Sequence, residues 1–218
     1  IYSDDLLNTF SLRMRIVRET MERNDYRFYP LAFQELQLLS WVTPYVKIWM
    51  LANVAQLIGT IALGVRIVRQ VTGNRSAKEL LLTFSLLFIF IAPSAYSYFK
   101  FIYSERVLTL LFAGYLTLYI DYRKNQSGQS QQGILICALI GIFVKDIAII
   151  LFLLPPITTL VIALLSQRKI LATSNQQRAS FLDQHRLEIK LLSPAVHLGV
   201  SFLYLAYLPS YFVGAERY

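Results

Sequence analysis

The chain reads as all-α: a polytopic transmembrane helix bundle with an outer amphipathic interfacial helix and a broken, re-entrant helix pair. Three observations predict this. First, 56% of the 218 residues are hydrophobic and only 16% are charged, against about 25% charged in ordinary soluble domains, and the mean hydropathy is +0.48. Second, the apolar residues come in long blocks, several near the ~20 residues that cross ~30 Å of hydrocarbon. Third, the basic residues collect in loops that alternate with those blocks, as the positive-inside rule requires of cytoplasmic loops.

Taken in order, Leu6, Phe10, Met14, Val17 and Met21 recur at steps of three or four and give one apolar helical face. Arg13, Arg15, Arg18, Glu19, Glu22 and Arg23 decorate the rest. So charged a segment is expected to lie in the interface as a helix over residues 5–23 rather than to span. Spans are predicted over Pro44–Val68, Leu80–Phe99, Val107–Tyr122 and Pro194–Val213. Arg66, Arg69, Arg75 and Lys78 follow the first, and Arg123 and Lys124 the third; Arg168, Lys169, Arg178, Arg186 and Lys190 follow residue 165.

Between the last two basic loops lies Gly133–Leu165, too long for one helix and too short for two ordinary ones. For both loops to be cytoplasmic it must enter and return. Lys145–Asp146 interrupts it, leaving a half-helix of about 18 Å before the break and a nearly full span after it. One straight helix would bury both charges at mid-bilayer, at about 2.5–3.5 kcal/mol each. Pro155 and Pro156 are expected to kink the returning helix. Residues 1–218 therefore form a single transmembrane domain, with an outer loop over 1–42 and spans over 43–213. The start at Ile1 suggests a fragment of a larger fold, and no signal peptide is visible.

The net charge of +8 belongs to cytoplasmic loops, and no nucleic-acid motif accompanies it. Cys137 is the single cysteine, so no disulfide forms within the chain. His185 and His197 lack metal-ligand spacing. His197 is expected to pack between helices, and His185 falls in a cytoplasmic loop without a role. Asn53 and Gln56 are expected as interhelical hydrogen-bond partners.

The unusual polar chemistry falls on the outer side. Asp4 and Asp5 have the chemistry of a general base or of metal ligands; a helix N-cap is the simpler reading. Residues 96–106 hold Tyr96, Tyr98, Phe99, Lys100, Phe101, Tyr103, Glu105 and Arg106. Aromatic rings of that kind stack on sugars while Lys or Arg holds a phosphate, and an aromatic belt is the alternative. Lys145–Asp146 is the most membrane-embedded charged pair, a functional candidate by that placement or a self-neutralising pin for the turn. Glu35 reads as an interfacial residue before the first span.

The acidic pair, the outer amphipathic segment, "RFYPLAFQELQLLSW", "FIYSERVLTLLFAGYLTLY" and the "VKD" inside a broken span together resemble the GT-C superfamily of integral membrane glycosyltransferases. The resemblance implies a polyprenyl-phosphate-linked sugar donor, a glycan, lipid or protein acceptor, and an active face on the non-cytoplasmic (periplasmic or extracellular) side of a multi-pass protein. It implies Asp5 or Asp4 as the base and Arg106, Lys145 and Lys100 around the donor phosphate. Tyr96, Tyr98, Tyr103, Glu105 and Asp146 would then line the sugar and acceptor. No metal ligands are assigned; a divalent Mg or Mn is compatible with the chemistry. No P-loop and no G-x-G-x-x-G is present. A lipid-linked-sugar flippase and a non-catalytic membrane subunit are the competing readings.

Overall fold

A computed structural model describes residues 31–32, 34–43, 45–73, 76–91, 98, 105–145, 148–166, 181–192, 199–201 and 204. Among these the structure is helical with no strand. The interfacial helix expected over 5–23 lies outside the described residues, as does most of the span expected over 194–213.

Helix α1, Gln34–Val42, leads through a tight turn into α2, Val46–Thr72. Thr43 builds that turn: its hydroxyl accepts from the Tyr45 N–H at 3.2 Å, and its carbonyl from the buried Trp49 indole at 3.2 Å. Gly73 ends α2 with φ 79°, a left-handed value glycine tolerates, and its N–H caps the Arg69 carbonyl at 3.0 Å. Helix α3, Ala77–Phe90, then runs back along α2. Phe84 lies where Gly64 has no Cβ, and Ile61, Val65 and Leu80 bury together with Phe84 and Phe88 packed on them. The sequence predicts a span reaching Phe99, but α3 closes at Phe90, with Ile91 extended. Pro93 follows, with no N–H to extend the ladder and a ring that disfavours helix in the residue before it.

Helix α4, Glu105–Asn125, is the centre of the fold. Asn53 meets Arg106, Gly59 meets Leu110, Gly114 meets Leu63, and Lys124 meets the Gln70 carbonyl. Residue numbers rise together in these contacts, so α2 and α4 are parallel. Helix α5, Gly128–Ile142, follows a short turn at Gln126 and is antiparallel to α4, with Leu118 over Gly133 and Cys137 beside Gly114.

The chain then breaks around Lys145 and resumes as α6, Ala148–Ser166. Phe152 sits directly on Gly141, Tyr115 reaches Phe152 and Tyr119 reaches Thr159. Helix α6 therefore turns back along α5 and runs parallel to α4, the helical hairpin that the Lys145–Asp146 interruption predicts. The prolines inside α6 have a backbone consequence. Pro156 cannot donate to the Phe152 carbonyl four residues earlier, and the Tyr115 hydroxyl donates to that carbonyl at 2.9 Å instead. A buried carbonyl freed by a proline is thus satisfied from the neighbouring helix.

The core lies on the α4–α5–α6 side. Leu108, Phe112, Tyr115 and Tyr119 recur at helical steps, and Phe152 meets the Phe112 and Tyr115 rings edge-on at 5.6 and 5.1 Å. Residues 181–184 and 186–192 are helical, and i→i−4 bonds run into and out of His185, so they form one segment, α7. Leu187 and Leu191 of α7 join this core. Helices α2 (from Lys47) and α6 are long and apolar enough to cross a membrane.

Candidate functional site at the Arg106 end

The parallel packing of α2 with α4, and the hairpin of α5 and α6, bring the N-termini of α2, α4 and α6 to one end with the C-terminus of α5. Ion pairs collect there. Arg106, one residue into α4, is completely buried. It donates to the Asn53 side-chain oxygen on α2 and to Glu35 on α1 at 3.5 Å. The neighbouring Glu105 pairs with Lys145 from the α5–α6 break. Two adjacent residues of opposite charge on α4 thus tie in α1, α2 and the break together.

Tyr98 lies close enough to feel the Arg106 charge. It is 6% exposed, its hydroxyl shares a 2.8 Å hydrogen bond with Thr60, and its ring packs edge-on against Phe88. It is packed against protein rather than presented for stacking on a sugar. The Leu31 N–H donates to the Phe143 carbonyl at 3.1 Å, and Ala32 is fully buried. Residues 31 and 32 therefore join the fold where α5 ends.

Glu35 lies in α1, outside the long apolar helices. Burial pushes its carboxyl above the ordinary carboxylate range; a hydrogen bond from the backbone and the Arg106 charge act against that shift without cancelling it. A carboxyl so placed holds its proton more readily than one in water, a property suited to proton transfer.

Of the site residues predicted from sequence, Glu105, Arg106 and Lys145 are brought to this end, with Tyr98 packed nearby. Asp4, Asp5, Tyr96, Lys100, Tyr103 and Asp146 lie outside the described residues. Asn53 is the interhelical partner expected of it, whereas the Gln56 side-chain oxygen is buried with no hydrogen bond. Among the described residues, no group of three or more His, Cys, Asp or Glu side chains has the arrangement to hold a metal ion.

The opposite end carries a cluster that sequence reasoning missed. Glu188 of α7 is fully buried and accepts from Tyr119 at 3.0 Å and from Arg123 at 3.3 Å. His185 is buried beside it, under the Phe181 ring at 4.7 Å. The signal was present: Phe181, His185, Glu188 and Leu191 fall at helical steps of three or four, a face that a loop reading passes over. At the same end Asp121 accepts from Arg66 at 2.6 Å and from Gln70 at 2.5 Å, beside Lys124 on the Gln70 carbonyl at 2.7 Å.

No family model, curated protein or solved structure matches this chain.

Proposed function

We propose that the chain is the membrane part of a glycosyltransferase of the GT-C type, moving a sugar from a polyprenyl-phosphate donor to an acceptor on the non-cytoplasmic side. One observation carries the reading: the ion-paired cluster of Glu35, Glu105, Arg106 and Lys145 sits at a single end of the apolar helices. The membrane setting is supported by the exterior. Helix α6 leaves most of its apolar surface unburied, with Ile150, Leu154, Val161 and Ile162 exposed. A soluble core helix buries such a face, and lipid is the solvent that suits it.

In this reading Asp5 or Asp4 removes the acceptor hydroxyl proton. The oxygen then attacks the anomeric carbon, and the polyprenyl phosphate leaves with its charge stabilised by Lys145 and Arg106. A non-catalytic subunit is the second reading, and it too has a specific observation behind it. Arg106 already holds Asn53 and Glu35, and Lys145 holds Glu105, so both cations have structural work.

The test is transfer of labelled sugar from a synthetic polyprenyl-phosphate donor by the chain in liposomes. Replacing the base, Asp5→Asn or Asp4→Asn, is expected to lower turnover by about 10²–10⁴ with donor binding kept. Wild-type rates in both variants would place the base elsewhere. Movement of the label across the bilayer without transfer supports a flippase, and neither activity supports the subunit.

A further inference from the structure

Helix α2 carries an exposed stripe that neither neighbouring helix covers. Leu51, Ile58, Ala62 and Arg69 are all exposed and follow one another at steps of seven, four and seven. The 3.6-residue turn lays such positions along one line of the helix. Helix α3 packs along one flank of that line, at Ile61, Gly64 and Val65. Helix α4 packs along the other, where Leu110 meets Gly59 and Asp121 meets Arg66.

The stripe changes character at one end. From Leu51 to Ala62 the exposed residues of α2 are apolar, and cations follow. Arg66 keeps 59% of its side chain exposed although Asp121 holds it at 2.6 Å. Lys124 of α4 is exposed too and reaches the Gln70 carbonyl at 2.7 Å. Arg69 is exposed and, among the described residues, makes no ion pair. Three cations therefore meet a single carboxylate here, while Lys78 and Glu79, side by side on α3, offset each other.

We propose that this stripe binds an anionic phospholipid, with an acyl chain along Ala55, Ile58 and Ala62 and the phosphate at Arg66, Arg69 and Lys124. The chemistry fits in both parts. Guanidinium groups fork onto phosphate oxygens with two N–H donors at a time, and the apolar stretch suits a hydrocarbon tail. The length fits as well. Ala55 to Arg66 covers about 16 Å at 1.5 Å per residue, close to half of the ~30 Å hydrocarbon layer. The cations thus reach headgroup level when the apolar stretch lies in one leaflet. A soluble phosphate would use the cations and leave the stretch idle. A choline lipid would use the stretch but bring its own cation against the arginines. An anionic phospholipid uses both.

The inference rests on the membrane reading of α2 and is independent of sugar transfer. The intact chain is placed in phosphatidylcholine nanodiscs doped with a lipid bearing a photoactivatable tail, as either its phosphatidylglycerol or its phosphatidylcholine form. The phosphatidylcholine probe should label α6, whose exposed Leu154 and Val161 meet lipid whatever its headgroup. The phosphatidylglycerol probe should label residues 51–62, and unlabelled phosphatidylglycerol should displace it about tenfold better than phosphatidylcholine does. Arg69→Gln should lower that preference about fivefold, the share of one basic side chain at an anionic surface. Lys190→Gln, an equal loss of exposed charge on α7 at the same end, should leave it unchanged. Labelling of α6 with equal displacement by the two lipids overturns the proposal and leaves the membrane reading standing. So does an Arg69→Gln variant with the wild-type preference, or a Lys190→Gln variant with the same loss, which assigns the preference to diffuse charge. Displacement by inorganic phosphate also overturns it, by assigning the cations to a free anion. Labelling of neither helix overturns the membrane reading and this site with it.

Discussion

The two ends of α4 are built as mirror images in charge. At the start of the helix the cation is the buried member: Arg106 has no exposed surface, and its partner Glu35 keeps 21%. At the far end the anion is buried: Glu188 has none, and Arg123 keeps 41%. The comparison teaches which member of each pair the fold depends on. The enclosed charge has nowhere else to find a partner; of the other members, Arg123 turns to water, while the mostly buried Glu35 does so only in part. Arg106 also cross-links α1, α2 and α4, while Glu188 ties one peripheral segment to one helix.

That asymmetry is open to measurement by unfolding in mixed detergent. Arg106→Ala removes the enclosed cation and strands both Asn53 and Glu35, with an expected loss of about 3–5 kcal/mol. Arg106→Lys is expected to rescue little, because a single ammonium does not reproduce the guanidinium fork to two acceptors. Glu188→Ala is expected to cost less, about 1–3 kcal/mol, since Tyr119 keeps Thr159 and Arg123 opens to water. Equal losses at the two ends, or full rescue by lysine, would break the contrast.

Between the ends, the Tyr115 hydroxyl serves the carbonyl that Pro156 leaves free. Tyr115→Phe is expected to cost about 1–3 kcal/mol, the penalty of an unsatisfied buried acceptor. In a Pro156→Ala background the helix regains its own N–H, and the same change should cost less than half as much. A double-mutant cycle reads the coupling; additive losses would show that the hydroxyl and the proline are unrelated.

The smallest effect is the pH response of Glu35. Its carboxyl is raised in the fold, mainly by burial. The folded state therefore holds this proton more tightly than the unfolded chain does. The contribution is fully present below the ordinary carboxylate value and is lost as pH rises through the raised one. Unfolding free energy should fall slightly with rising pH over that window, and Glu35→Gln should flatten the slope. A variant with the wild-type slope would assign it to another group.

Much of the architecture was legible from local pattern. The long apolar helix α2 and the interruption between α5 and α6 follow from runs of apolar residues and from a charged dipeptide too costly to bury in a straight membrane helix. The early end of α3 has an equally local cause: the apolar run continues past residue 90, but Pro93 governs the backbone there more strongly than hydropathy does. His185 was passed over because its segment sits among polar residues, and its helical face shows only when Phe181, Glu188 and Leu191 are taken with it.

By itself the sequence determined that this chain is helical and apolar, where its main helix break falls, and that Glu105–Arg106 and Lys145 carry charges in unusual places. These are properties of composition and of spacing within a few residues, which the 3.6-residue repeat converts directly into faces. Only the tertiary structure decided the partners. Arg106 takes Glu35 and Asn53, Lys145 takes Glu105, and Glu188 takes Tyr119 and Arg123. Each pairing joins residues dozens of positions apart, and it depends on which helices are parallel and how far each is rotated about its axis. Ridge-and-groove packing across the whole assembly sets that rotation, and no short stretch of sequence contains it.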